Sequence, residues 1–220
     1  GLLFPTFTYT FFNWGIGHFI LSVLFFGAVS WIPRLMLAHL LMAGCFMYLL
    51  GRSFKLSWVT SVFIGIIYMF TPQLVVLPSV GHGSKLFSAA FIPLVILATH
   101  KLIEKRNLLH MGFLTFAVGM VLLALHVQIA FYAMLAAGML ILWSIIFDIK
   151  EKPKRIPAKV ILFGLAVLMG LFFAGSIYFI VYEYSDWSVR SGAEGGLAWE
   201  YATNWSFHPF ESLTSLVPSF

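Results

Sequence analysis

The sequence is poor in charge and in cysteine. Charged residues make up 10% of its 220 residues, against about 25% in a typical soluble domain, and 61% of the residues are hydrophobic. This composition excludes a soluble globular fold and predicts an integral membrane protein. The one cysteine, Cys45, excludes a disulfide framework or a cysteine-based metal site built within one chain.

Acidic residues are missing from the first part of the chain. No Asp or Glu occurs between Gly1 and Ile103. A carboxylate base acting at the outer face must therefore come from the tail after residue 180 or from sequence outside these 220 residues. Because the chain begins without methionine and stops at Phe220 inside a polar segment, we expect it to be the central part of a longer protein.

Long apolar runs predict the fold class, an all-α polytopic membrane protein. The run over 108–147 would make one helix of roughly 60 Å, about twice the hydrocarbon thickness, so we expect the chain to reverse near His126. Trp14–Ser30, followed by the pattern-breaking Pro33 and Arg34, is predicted to be a short span or a juxtamembrane helix. The six predicted spans cover 35–51, 58–76, 87–103, two segments within 108–147, and 160–180.

Basic residues orient these spans. Ten of the thirteen Lys and Arg residues occur in alternate loops, which the positive-inside rule assigns to the cytoplasm. The pI of about 9.4 therefore indicates topology, and we expect no nucleic-acid partner. The predicted regions are 1–34, the end of an outer loop with an interfacial or short membrane helix; 35–180, the helical bundle; and 181–220, the start of an extracytoplasmic loop region.

A polar island, LPSVGHGSK at 77–85, separates two of the apolar runs. If it opens a helix, His82 and Lys85 share one face, and the free N–H groups there, with Ser84 beside them, would suit a phosphate or another anion. The alternative is a snorkelling Lys85 and a His82 that only caps the helix.

Two further outer-face segments contain candidate residues. His126 and Gln128 could hydrogen-bond a polar ligand or simply close a tight turn. In the tail, Arg190 is a candidate for bidentate phosphate binding, and Tyr201 belongs to an aromatic group that either anchors the chain in the membrane or stacks on a sugar.

Several of these segments together resemble one protein family. The chain reads GHGSKLFSAAFIPLVILA at 81–98, LHVQIAFY at 125–132, YEYSDWSVRSG at 182–192 and EYATNWSFHPFESLTSLVPSF at 200–220. In this order they resemble the bacterial YfhO-like membrane proteins, especially the Bacteroidetes-type members, over nearly the whole chain. That family is placed with the GT-C glycosyltransferases, which take a sugar from a polyprenyl-phosphate carrier at the outer face of the membrane.

The resemblance implies a GT-C-like bundle of about six transmembrane helices plus one juxtamembrane helix, multi-pass in the bacterial inner membrane. The implied partners are the bilayer, a polyprenyl-phosphate sugar donor and an envelope glycan or lipid acceptor. His82, Lys85 and Arg190 become candidates for the donor phosphate, and Ser84, His126, Gln128 and Tyr201 for other substrate contacts. No catalytic base is assigned, no metal ligand is predicted, and Mg²⁺ or Mn²⁺ stays open as a cofactor.

Two other functions compete with the transferase. A transporter or flippase for a lipid-linked or anionic solute would have polar residues in both halves of the bilayer, whereas here they gather at one face. A non-catalytic partner in envelope assembly is the remaining alternative if the full protein has no carboxylate in an outer loop.

Overall fold

The computed structural model describes residues 31–79 and 82–185, together with Thr203, Ser206, Phe210 and Glu211. The predicted element at 14–30 lies outside these residues. The described part is helical and contains no strand, as the apolar runs predict. Its seven α-helices are α1 Trp31–Ser53, α2 Trp58–Met69, α3 Pro72–Ser79, α4 Gly83–Lys105, α5 Leu108–Leu123, α6 Val127–Glu151 and α7 Ile156–Ser185, with a 3-10 turn at Pro153–Arg155.

Four of the helical segments are long and apolar enough to cross a membrane. They are Leu35–Ser53, Gly83–Lys105, Val127–Glu151 and Pro153–Tyr184, and a fifth candidate is the bent pair α2 and α3. α5 is apolar but shorter. The exposed surface supports a lipid environment, since large apolar side chains such as Phe172, which is 88% exposed, point outward.

Helix boundaries follow from proline and from local capping. Pro33 does not break the chain as expected, because it lies in the first turn of α1, where helix N–H groups have no intrahelical partner to lose. The run predicted as one span over 58–76 is instead bent by 46° between α2 and α3. Pro72 explains the break, because a residue before proline disfavours helical geometry, and here that residue is Thr71.

The predicted reversal near His126 is confirmed, with its position refined. α5 ends at Leu123, Leu125 adopts a φ of 56°, and α6 begins at Val127 with His126 as its N-cap. The reversal thus occupies residues 124–126.

Helix α4 lies at the centre of the bundle. In its most apolar stretch of 18 residues, 72% is buried inside the bundle, whereas the corresponding share in the other three long segments is 33% or less. It packs on α1, α5 and α6. Small residues that include Ala90 and Ala98, both fully buried, allow these neighbours to approach closely.

One interhelical hydrogen bond compensates for a proline inside α4. Pro93 has no N–H to give to the carbonyl oxygen of Ala89 four residues earlier. The hydroxyl of Tyr68, on α2, donates to that oxygen at 2.8 Å. The bent α2–α3 segment is thereby attached to the central helix by a polar contact that satisfies a buried acceptor.

Many of the basic residues share one end of the bundle, which we call the basic end. The last turn of α1 lies beside the last turn of α4 there, with the rings of Phe54 and His100 4.5 Å apart. α6 and α7 are joined by an ion pair of 2.7 Å between Asp148 and Lys159, whose ammonium also contacts Ser144. The chain clusters into two units, Gly1–Ile177 and Tyr178–Phe220, and the sites described below belong to the first.

Candidate functional site

The opposite end of the bundle, which we call the His126 end, is built from three chain segments. The starts of α1 and α4 and the reversal at 124–126 meet there through a shared apolar cluster, with the bent α3 beside them. Its buried members include Leu35, Met36, Leu74, Leu77, Leu86, Phe87 and Ala124. Packing of these apolar side chains is what places polar residues from distant parts of the sequence at the same end.

The polar island supplies the start of α4. His82 is the N-cap residue, and its exposed side chain makes no capping hydrogen bond. The His82 side chain therefore does not cap the helix, unlike in the alternative considered from the sequence. Ser84 and Lys85 lie in the first turn, both partly buried, so the condition that the island opens a helix is met.

His126 supplies the start of α6. Its Nδ1 accepts a hydrogen bond of 3.4 Å from the backbone N–H of Ile129, so the imidazole does cap this helix. A neutral ring that accepts at Nδ1 carries its proton on Nε2. The ring is partly buried and can present that Nε2–H as a donor to a ligand.

The electrostatics of His126 show that the two segments influence each other. Burial is the main cause that lowers the pKa of His126 below its ordinary value of 6.5, and the positive charge of Lys85 lowers it further. His82 acts in the same direction. The tertiary structure therefore brings together three of the predicted site residues. His82 and Lys85 lie at the start of α4, and His126 follows the end of α5.

Gln128 lies in the first turn of α6 and is exposed. Its Nε2 donates to the hydroxyl of Tyr132 at 2.8 Å, one turn further along the same helix. Sequence reasoning did not single out Tyr132, although its spacing of four from Gln128 was the available signal. The pair adds an amide and a phenol to the polar groups near the beginning of α6.

The four segments of the first unit that build the His126 end contain no carboxylate. No Asp or Glu occurs in residues 31–40, 72–79, 82–90 or 120–132. A cluster of Lys85, His82 and His126 without an opposing acid favours an anionic ligand. Across the part of the chain that the structure describes, no group of three His, Cys, Asp or Glu side chains could hold a metal ion.

Two predicted site residues, Arg190 and Tyr201, lie outside the described residues. Their assignment to donor and substrate binding stays a prediction.

Comparisons with known proteins identify no relative. No family model, no curated protein and no solved structure matches the chain. The resemblance to YfhO-like proteins thus stays a prediction from the sequence segments.

Proposed function

We propose that this protein is a membrane glycosyltransferase of the YfhO-like, GT-C type, with a bundle of about six membrane helices. It binds a polyprenyl-phosphate-linked sugar at the His126 end and transfers the sugar to an envelope glycan or lipid. The observation that carries the proposal is the convergence of Lys85, His82 and His126 at one end of an apolar bundle, with no acid in the segments 31–40, 72–79, 82–90 and 120–132 that build this end. We place this end at the extracytoplasmic face of a bacterial inner membrane, because the basic loops occupy the other end.

The proposed chemistry needs a cationic site. When the glycosidic bond to a lipid phosphate breaks, negative charge develops on the leaving phosphate oxygens. Lys85 offers an ammonium for that charge, and His126 offers its Nε2–H. Because neighbouring positive charge makes protonation of His126 costly, a bound anion would remove part of that cost. The Ser84 hydroxyl and the Gln128 amide can hydrogen-bond neutral polar groups of the sugar. The apolar helix surfaces suit the polyprenyl chain.

Polar residues inside the bundle support a site at one end over a transport path. Ser88 donates to the carbonyl oxygen of Val121 at 3.5 Å. Thr99 donates to the carbonyl oxygen of Val95 in α4, and Ser61 donates to that of Ser57, the N-cap residue of α2, each at 2.8 Å. These three buried hydroxyls therefore bind backbone carbonyls, which favours a site at one end of the bundle over a transport path.

Ligand binding tests the site directly. Farnesyl phosphate, which shares the isoprenoid phosphate of the donor, should bind the purified protein in detergent more tightly than farnesol does. Lys85→Gln should weaken farnesyl phosphate binding about 10- to 100-fold, as expected for a lost hydrogen bond to a charged group. Binding of farnesol should be unchanged.

The matched control is Lys150→Gln, which removes an exposed lysine near the other end of α6. It should bind farnesyl phosphate as the wild type does. Equal affinity in Lys85→Gln and wild type would remove the phosphate site from the His126 end. Sugar transfer is tested separately, with the full-length protein and a polyprenyl-phosphate sugar. If farnesyl phosphate binds but no transfer is detected, the phosphate site stands and the proposed transferase activity is wrong.

A further inference from the structure

A second cationic feature lies at the basic end, far along α4 from the His126 end. It is a groove of about 350 Å³ between the last turns of α1 and α4 and the beginning of α5. Such a volume falls within the range of about 300–1,000 Å³ for small-molecule sites. Its lining residues are Leu49, Arg52, Ser53, Leu97, Lys101 and Phe113.

The groove combines two kinds of surface. Arg52 and Lys101 supply positive charge, whereas Leu49, Leu97 and Phe113 supply apolar walls. Arg52 is held in place because its Nη1 donates to the carbonyl oxygen of Leu56 at 2.6 Å. The guanidinium has five N–H donors, so this bond leaves it able to bind an anion as well.

One acid moderates the charge. Glu104 lies 2.8 Å from the Lys101 ammonium, and both side chains are about one-third exposed. The surrounding helix ends and loops nevertheless contain more cations than acids. Between the ends of α1 and α4 and the start of α5, the sequence has Arg52, Lys55, Lys101, Lys105 and Arg106 against the single Glu104.

We propose that this groove binds an anionic glycerophospholipid. Helix ends rich in Lys and Arg lie at the level of lipid headgroups, where basic pockets between helices bind phosphate. The apolar walls distinguish this ligand from free phosphate, since acyl chains can cover Leu49, which is 46% exposed, and the partly buried Phe113. The headgroup can meanwhile reach Arg52 and Lys101. The lipid site is separate from the proposed donor site and does not depend on it.

Phosphatidylglycerol and phosphatidylcholine with the same dioleoyl chains provide the first test. Lipid binding to the detergent-solubilised protein is measured by titration and by native mass spectrometry. Arg52→Gln and Lys101→Gln should each weaken phosphatidylglycerol binding roughly fivefold, the effect of one cation near an anionic headgroup. Lys154→Gln, an exposed lysine outside the groove, should leave it unchanged.

The carboxylate gives an expectation of opposite sign. Glu104→Gln frees the ammonium of Lys101 and should strengthen phosphatidylglycerol binding severalfold. A variant that merely disturbs the fold would not bind more tightly, so this result separates a specific site from structural damage. Equal losses in Arg52→Gln, Lys101→Gln and Lys154→Gln would overturn the proposal in favour of a general field of positive charge.

The acyl chains are tested with two further probes. Inorganic phosphate and glycerophosphoglycerol, the headgroup without its chains, should each bind much more weakly than phosphatidylglycerol. If either competes as well as the lipid, the groove is an anion site only and the assignment to a lipid is wrong. Binding of phosphatidylcholine equal to that of phosphatidylglycerol would also overturn it.

Discussion

The contact between α1 and α2 provides a sharp test of the fold. Gly65 of α2 faces the backbone of Gly44 of α1, and a Cβ added at Gly65 would lie 2.7 Å from the carbonyl oxygen of Gly44. Real Cβ atoms essentially never come within 3.0 Å of a heavy atom in another part of the structure. Because the obstacle is backbone and cannot rotate away, Gly65→Ala must separate the two helices.

The expected magnitude follows from two opposing terms. Overpacking a close contact costs about 1–3 kcal/mol, while replacing glycine by alanine inside a helix gains up to about 1 kcal/mol. We therefore expect Gly65→Ala to lower the free energy of unfolding by about 1–2 kcal/mol. Gly44→Ala, whose added Cβ would lie 3.2 Å from the Gly65 carbonyl oxygen, should cost less.

Unfolding in mixed micelles with increasing dodecyl sulfate, followed by circular dichroism, measures the effect. Gly138→Ala in α6 is the matched control, because nothing lies within 4 Å of a Cβ added there. It should be neutral or stabilising. If Gly65→Ala proves as stable as Gly138→Ala, the close approach of α1 and α2 is wrong.

Three other predictions follow from single contacts. Tyr68→Phe removes the donor to the Ala89 carbonyl and should cost about 1–3 kcal/mol of unfolding free energy; no change in the same micelle assay would contradict the compensation at Pro93. Asp148→Asn leaves the buried ammonium of Lys159 without its charged partner and should cost more than about 1 kcal/mol, with a retained midpoint arguing against the ion pair. Binding of sulfate, which stays ionised throughout the range in which an imidazole titrates, should tighten as the pH falls. The reason is that an anion favours the protonated imidazole that Lys85 otherwise disfavours, and a pH profile unchanged in His126→Gln would exclude the imidazole as its source.

The helices and their main interruptions were predictable from the sequence. Apolar runs over 35–51, 87–103 and 160–180 fall within α1, α4 and α7, because hydropathy is a sum over neighbouring residues and bilayer thickness limits the length of each span. The reversal near His126 followed from the same length limit. That the polar island opens a helix was a condition that the local sequence allowed and the structure met.

The bend before Pro72 shows where local reasoning was incomplete. The run over 58–76 is mostly apolar, so hydropathy alone predicted one span, although a proline was present in the sequence. The structure bends the segment by 46° and connects Tyr68 to α4. Pro93 leaves the carbonyl oxygen of Ala89 without a helical N–H donor, and the Tyr68 hydroxyl donates to that oxygen. Hydropathy carries no information about such a pairing between distant parts of the chain.

Composition and hydropathy were enough to predict a helical membrane protein, the approximate positions of its helices, and the polar residues that interrupt them. Three features came from the packing of the helices: Lys85 and His82 act on His126, α4 is the central helix, and Arg52 and Lys101 line one groove. Arg190 and Tyr201 remain predictions from the sequence. The physical reason is that helix formation in an apolar environment depends on local composition, whereas the pairing of helices depends on shape and on polar partners far apart in the chain.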